Sequence, residues 1–583
     1  MAPQLADEPR LRLHAHSVAA FLLPLCFAVW ANSGDSLWRS DGADWRGALR
    51  PQQMSLSQLL QACLQTLPAG NQQFRAGLLG AFLAGGCSLL SLRLATRLFR
   101  SQGGQSRIDS ALALAAALAL GLSFPLQSEA SIVSSVPLAT FLSLWIVQQL
   151  SNRACGFPNR ATALVSGLAL GLLSLESLWC TGVLALALLS RELTSQRAER
   201  PRVNSYWCLG AAASVGLLLW VPRLLSLAPG DIEAGKNPLV SYFPWSPLDW
   251  VHHLGALWCL GAIVAVLVGT RHRGLLLVPL VVIFCDILAP GNGSLGWHPQ
   301  ASVGADRIAL HLTALALVAS LGALGLRTLA ESASALQLLA AKPLRVMVAV
   351  LALAGCLAGA EDASRTLSHT TRGGAQAWTD EALLQLPSRA LVLTHSEEVG
   401  KRLLTAQARG ARPDVLIVPL ASLSDGRQLS HWLEKEPAMG VLLRDLSVST
   451  HPSERAISHL VDVRPVFLEP NDQWDRRILE HVVPGLPLSR LAPHAVARSD
   501  RLAALEDTPP KSQRITTAAT LGLVEDRRTL RVFEDNLEGL ARSLKKIGDR
   551  SSQRRLEELF AEPEPADPDA AAQDPPAPLA QRR

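Results

Sequence analysis

Asn32–Arg75 reads NSGDSLWRSDGADWRGALRPQQMSLSQLLQACLQTLPAGNQQFR, and the reading of this stretch decides the fold. It is polar, yet it carries Trp38, Trp45 and paired leucines, together with three acids, Asp35, Asp41 and Asp44. It separates the first apolar segment from the second, and from there to Ala360 the chain is mostly apolar. A tryptophan- and acid-bearing loop that opens a multi-span bundle is a candidate reaction platform at a membrane surface. The plainer alternative is an amphipathic connector lying on lipid headgroups. Within it, Met54–Leu67 places Met54, Leu56, Leu59, Leu60, Cys63, Leu64 and Leu67 largely on one helical face. That spacing predicts a short helix along the outer membrane surface, ended by Pro68 and Gly70.

The apolar content is 49% and the mean hydropathy is +0.22. The excess is concentrated in runs such as Ile108–Phe124, Ser131–Leu150 and Ile308–Leu326, nearly free of charge and about the length that crosses a hydrocarbon core. The net charge of +5 is spread over connections between apolar runs, which points to a positive-inside topology and excludes nucleic acid as a partner. Basic residues are mostly arginine, a habit of high-GC bacterial genomes. None of the nine cysteines lies beyond Cys356, and no CxxC or His/Cys spacing occurs. A disulfide-stapled outer domain and a zinc site are therefore not expected, and no motif assigns a metal or other cofactor.

Ser17–Ala31 is the first candidate span; Val29 and Ala31 also imitate a signal-peptidase site, but the spans that follow need the first to orient them. The others are Ala76–Leu98, Ile108–Phe124, Ser131–Leu150, Ala161–Leu175, Ser177–Leu189, Ser205–Val221, Val251–Val268, Gly274–Leu288, Ile308–Leu326 and Val346–Ala358. The pair either side of Glu176 reads as two spans or as one. Counted as two, every short inner connection is basic: Arg97, Arg100 and Arg107, then Arg153 and Arg160, Arg191 to Arg202, Arg271 and Arg273, and Arg327, Lys342 and Arg345. This gives about eleven spans in a membrane domain over 1–360 with its first outer loop at 32–75, the N-terminus cytoplasmic and the C-terminal region outside. Asp35, Glu129, Glu176, Asp286, His252, His253, Asp306, Arg307 and His311 then all fall at outer ends of spans. Charge beside a span is costly unless it faces water or a partner, so these are outer-rim candidates for a polar cavity.

From Glu361 the texture changes. LPSRALVLTH and ARPDVLIVPL read as strands around a helical EEVGKRLLTAQARG, AMGVLLRDL and RPVFLEP as further strands, and SERAISHLV as a helix. A small α/β domain over 361–500 follows, with a helical segment at 501–560 and a disordered, proline-rich tail at 561–583. In the helical segment LRVFEDNLEGLARSLKKI is the best amphipathic stretch. No GxGxxG or GxxxxGK[ST] loop is present.

LPAGNQQFRAGLLGAFLAG (Leu67–Gly85), LPSRALVLTH…RPDVLIVPL (Leu386–Leu420) and the Asp306-Arg307 pair carry a resemblance. The chain resembles bacterial multi-spanning membrane proteins related to the eukaryotic O-mannosyltransferase of plexin-type receptors, a C-type glycosyltransferase-like group. The resemblance implies an α-helical polytopic membrane bundle with a small extracytoplasmic α/β domain, sited in the bacterial inner membrane. It implies transfer from a polyprenyl-phosphate sugar to an envelope protein or glycan acceptor. The family's Asp-Ser-Gly-Glu falls on Asp35-Ser36-Leu37-Trp38, so its Asp is kept and its Glu lost. Its His-Pro-Pro-Gly falls on Arg50-Pro51-Gln52-Gln53, where only Pro51 remains, and its Glu-Val-Tyr on Ser134-Ser135-Val136. The implied base is Asp35, with Asp41 or Asp44 as substitutes for the lost Glu, and with Arg75 and Arg307 for the donor phosphate. A degenerate member serving as a non-catalytic envelope scaffold is the alternative. A transporter is disfavoured, because no internal repeat or paired broken helices are evident.

Overall fold

The computed structural model describes residues 8–32, 56–64, 66–68, 72–101, 106–132, 134–150, 160–194, 209–214, 242–244, 247–268, 273–288, 290–292, 303–335, 341–367, 373–408, 410–420, 423, 426–449, 452–520 and 527–560. The N-terminal part is helical. Helices α1 (Glu8–Ala31), α2 (Leu56–Leu64), α3 (Gln72–Ser101), α4 (Arg107–Gly121), α5 (Phe124–Ala130), α6 (Val136–Leu150), α7 (Arg160–Glu176) and α8 (Leu178–Thr194) precede a two-stranded antiparallel ribbon. The ribbon pairs β1 (Tyr242–Pro244) with β2 (Pro290–Asn292), around α9 (Pro247–Leu254), α10 (Ala256–Leu267) and α11 (Arg273–Leu288). Helices α12 (Val303–Ala335) and α13 (Ala341–Leu367) complete it.

Three helices among the described residues are long and apolar enough to cross a membrane: Phe74–Arg100, Ile308–Ala333 and Pro343–Arg365. A fourth arises if the bent pair α4–α5 counts as one span, and six further apolar helices are shorter. The expected eleven spans are thus not all present as full-length helices among the described residues. One reason lies at 125–130, which was expected to be a loop. Pro125 lacks an N–H to donate to the preceding turn, so the chain bends by 56° and resumes as α5. Gln127 donates to the Gly121 carbonyl left over at the bend, and to Pro24 O at 3.2 Å. At Glu176 the helix also breaks, with Ser177 between α7 and α8.

Helix α12 is the centre of the bundle. Its most apolar window is entirely buried, and it packs against α3, α4, α6, α8, α10, α11 and α13. A helix apolar all round belongs inside, not on a face. Its crossing with α10 is set by glycine. A Cβ on Gly261 would lie 2.4 Å from Gly322 O, and one on Gly325 only 1.7 Å from Gly261 O. Small residues let the two backbones touch, which is how apolar helices associate where lipid offers no hydrophobic gain. Outward-facing side chains such as Leu260, Phe284 and Leu357 are large and apolar, and Trp30 and Trp179 stand exposed at helix ends.

The C-terminal part is a mixed sheet between two helical layers. Strands β3 (Leu391–Thr394), β4 (Leu416–Pro419), β5 (Val466–Leu468), β6 (Val482–Val483) and β7 (Ser489–Leu491) take the order β4-β3-β5-β7-β6. Strand β3 is parallel to both β4 and β5, while β5–β7 and β7–β6 are antiparallel. Strand residues alternate between two cores. Val392, Ile417 and Phe467 face one, formed with α14 (Gly373–Leu384), α15 (Glu397–Ala408) and the last helices. Leu391, Leu393, Leu416, Val418, Val466 and Leu468 face the other, with α16 (Gly426–Lys435), α17 (Met439–Ser449), α18 (Glu454–Val463) and α19 (Arg476–Glu480). Burial on both faces explains the continuous apolar runs that marked these strands.

AMGVLLRDL, expected as a strand, is the helix α17. Met439 and Leu442 are buried and Val441 is exposed, a three-residue spacing that one helix face satisfies and an alternating strand does not. The helices at 501–560, namely the end of α20 (Arg498–Glu506), α21 (Pro509–Thr520), α22 (Arg527–Lys546) and α23 (Arg550–Phe560), share the first core through Leu505, Ile515, Phe533, Leu540 and Leu556.

Candidate functional site

Two polar clusters and one basic cavity mark the helical part. The first cluster is built on α2. Ser57 donates its backbone N–H to Glu176 Oε1 and its hydroxyl to Glu176 Oε2, both at 2.8 Å. The carboxylate so meets the N-terminal turn of α2, where backbone N–H groups are unsatisfied and the helix dipole favours negative charge. One turn on, Gln61 Nε2 donates to Ser134 O at 3.1 Å, and Ser134 Oγ donates to Glu129 Oε2 at 2.7 Å. All five residues are buried. The helix is inverted in polarity: Ser57 and Gln61 face the bundle, and Leu59, Leu60 and Cys63 face outward. A helix that exposes leucines and buries its polar side suits a membrane surface.

The ends of the first loop are also held together. Asn32 Nδ2 donates to Phe74 O at 3.0 Å, and Gly77 leaves room for the Asn32 side chain, since a Cβ there would approach Asn32 to 2.8 Å. Arg75 donates to the Leu67 carbonyl, bracing the turn that follows α2. Asp35, Asp41 and Asp44 lie outside the described residues.

The second cluster joins the end of α11 to the start of α12. Asp286 Oδ2 accepts from Trp250 Nε1 at 3.0 Å and lies 3.0 Å from His311 Nδ1, with both Asp286 and His311 buried. His253 stands edge-on to His311 at 5.7 Å. Asp286 and His253 are thus brought together, while Glu129 and Glu176 belong to the α2 cluster. The side chains of Arg307 on α12 and His252 on α9 are outside the described residues.

The opposite helix ends gather the arginines. A cavity of about 250 Å³ is lined by His16, Arg93, Arg97, Arg100 and Ser110, and Arg97 Nη1 donates to Gln148 O at 2.5 Å. Beside it Arg327 donates to Glu331 at 2.9 Å and lies 3.6 Å from Asp109, which caps α4 together with Ser106. Ser57, Gln61, Trp250 and Asp109 were not singled out in the sequence. The one available signal was the i, i+4 pair Ser57 and Gln61 inside a leucine-rich helix.

If Glu176 docks α2, its removal has a defined cost. Glu176→Ala leaves a buried N–H and a buried hydroxyl without acceptors, about 1–3 kcal/mol for each. Hydrogen exchange over 56–64 is expected to quicken markedly, and less so in Glu176→Gln, which keeps one acceptor oxygen. Unchanged protection in Glu176→Ala would show that α2 is held by other contacts.

No protein-family model matches the chain, and no curated protein matches it. Among solved structures it is similar to ArnT from Cupriavidus metallidurans bound to undecaprenyl phosphate, at 12% identity and TM-score 0.45, covering 80% of this chain and 94% of that one. The apo form of the same protein gives 12% identity and TM-score 0.46 over 79% and 94%. Archaeal oligosaccharyltransferase AglB from Archaeoglobus fulgidus, in complex with an inhibitory peptide and a dolichol-phosphate, gives 11% and 0.41 over 80% and 70%. These scores carry no residue-by-residue correspondence.

Proposed function

We propose that the protein is a membrane glycosyltransferase that moves a sugar from a polyprenyl-phosphate donor to an extracytoplasmic acceptor. The observation that supports it is the anchoring of the first loop. Its ends are tied by Asn32 and Phe74, and its helix α2 is fastened over buried carboxylates at the same helix ends. A loop held at three points can present a base in fixed geometry, and positioning is a large part of catalysis. The family resemblance adds a second support. Where it has Glu, this chain has Ser134, and Glu129 Oε2 lies 2.7 Å from the Ser134 hydroxyl. A carboxylate is therefore supplied at that place from five residues upstream.

In this reading Asp35 takes the proton of an acceptor hydroxyl, whose oxygen forms the new bond to the anomeric carbon. The bond from that carbon to the phosphate oxygen breaks, and polyprenyl phosphate leaves. Arg307, with Arg75 at the loop's end, balances the phosphate charge; a guanidinium matches phosphate oxygens in a two-point fork. A second reading, a non-catalytic envelope scaffold, is favoured by the structural use of the same polar groups. Both Glu176 oxygens accept from Ser57, and Arg75 is bonded to Leu67 O. Purified protein incubated with a panel of labelled polyprenyl-phosphate sugars and candidate acceptors separates the two. Release of polyprenyl phosphate with labelled acceptor supports the transferase; neither binding nor transfer from any donor supports the scaffold.

The proposed orientation is supported by the arginines gathered at one set of helix ends. With arginines inside, the α/β domain is outside, so a phosphatase fused within 368–372 is expected to be active in a bacterial host and a β-galactosidase fused there inactive. The reverse pattern would place the α2 cluster in the cytoplasm and remove the donor assignment.

A further inference from the structure

The basic cavity of about 250 Å³ has no part in the proposed transfer. It lies where α3 packs against α1, α4 and α6, and all four helices lend it side chains. Helix α3 supplies most of its charge. Arg93, Arg97 and Arg100 follow one another at four- and three-residue spacing, so they share one face of that helix. Arg97 is roughly 33 Å along α3 from Arg75, at the usual rise per residue. The cavity is therefore remote from the first loop.

Orienting a span asks an arginine only to reach the headgroups. Arg93 goes further: the span runs Phe74–Arg100, so it stands about two turns inside that end. Charge at such a depth is costly unless it meets water or a partner, and like charges on one helix face repel. Among the described residues no carboxylate lines the cavity. Asp109, beside it, is held by Arg327 and by the cap of α4. Arg93 and Arg100 are exposed and Arg97 is half-buried, so an anion can approach all three. Arg97 gives one N–H to Gln148 O at 2.5 Å, which orients its guanidinium and leaves four further donors. His16 adds a ring N–H in either protonation state. The space is smaller than drug-sized pockets, which run from about 300 to 1,000 Å³, so it suits a compact group.

We propose that this cavity binds a phosphate monoester, carried by a lipid headgroup or by a soluble anion. Guanidinium groups match phosphate oxygens in two-point forks, which ammonium groups cannot do. Basic pockets between spans are also where lipid headgroup phosphates lodge. A monoester carries about −1.5 to −2 charge at neutral pH, more than a phosphodiester can. Three guanidinium groups around one small cavity therefore favour the monoester.

Calorimetry on the full chain in an uncharged detergent tests this, with short-chain phosphatidic acid as the lipid probe and glycerol 3-phosphate as the soluble one. Saturable binding of phosphatidic acid is expected, tighter than that of phosphatidylglycerol, with phosphatidylcholine not binding. Arg93→Gln and Arg100→Gln, both at exposed positions, should each weaken it roughly 10-fold, the worth of a hydrogen bond to a charged group. Arg107→Gln, exposed on α4 but outside the lining, should leave it unchanged. Glycerol 3-phosphate that binds alone and displaces the lipid assigns the site to a soluble anion; binding of the lipid only assigns it to a headgroup. Unaltered thermal unfolding of either cavity variant separates lost binding from lost fold. No saturable binding of either probe, phosphatidylglycerol bound as tightly, or equal weakening by Arg107→Gln would overturn the proposal. So would binding weakened by Arg307→Lys and untouched by Arg93→Gln, which would put the phosphate at the first loop. Failure here leaves sugar transfer standing, because its donor phosphate is assigned to Arg75 and Arg307.

Discussion

Asp35→Asn is expected to lower sugar transfer by about 10²–10⁴-fold, the usual loss when a general base is removed. The substitution keeps the size of the side chain and deletes only its ability to take a proton. Asp35 follows Asn32 by three residues, and Asn32 is bonded to the Phe74 carbonyl. On the proposed reading the base thus lies only three residues along the chain from the bond that joins the loop's two ends. Donor binding should be little changed in Asp35→Asn and weakened in Arg307→Lys, since an ammonium cannot reproduce the guanidinium fork. Full transfer activity in Asp35→Asn would exclude it as the base and turn attention to Asp41 and Asp44.

Gly325→Val should damage the bundle more than any other single change considered. A Cβ at Gly325 would sit 1.7 Å from Gly261 O and 2.9 Å from Ala265 N, and both are backbone atoms that no rotamer change can withdraw. Helices α10 and α12 would have to separate, and the contacts along the crossing would loosen together. Overpacking of a core typically costs about 1–3 kcal/mol, and more where backbone is the obstacle. Against a total stability of about 5–15 kcal/mol, that is a large share. Thermal unfolding in detergent, read by size-exclusion chromatography after heating, should show a much lower midpoint. Gly355→Ala on α13, where a Cβ meets nothing within 4 Å, is the control and should be neutral or slightly stabilising. A midpoint unchanged in Gly325→Val would mean that the crossing is not as close as described.

The helices and the parallel strands were legible because their signals are local. LVLT, LIVP and VFL are buried on both faces, so composition alone marks them, and the surface helix in Met54–Leu67 follows from its spacing. AMGVLLRDL misled because a short apolar run has no period to distinguish helix from strand. The polar clusters were half legible. Charge beside a span drew notice to Glu129, Glu176 and Asp286, but only Glu129 has its partner nearby, in Ser134; Ser57 is 119 residues from Glu176. Trp250 and His311 likewise reach Asp286 only through the packing of three helices.

The central place of α12 bears on how the molecule is made. A ribosome delivers the chain from its N-terminus, so α1 to α11 are made before the helix that many of them pack against. Until residues 303–335 emerge, α3, α4, α6 and α10 lack their common neighbour, and Gly261 on α10 lacks the backbone that it meets in the complete chain. The bundle therefore receives its core late, and a chain that stops before α12 lacks the helix that α3, α4, α6 and α10 all pack against.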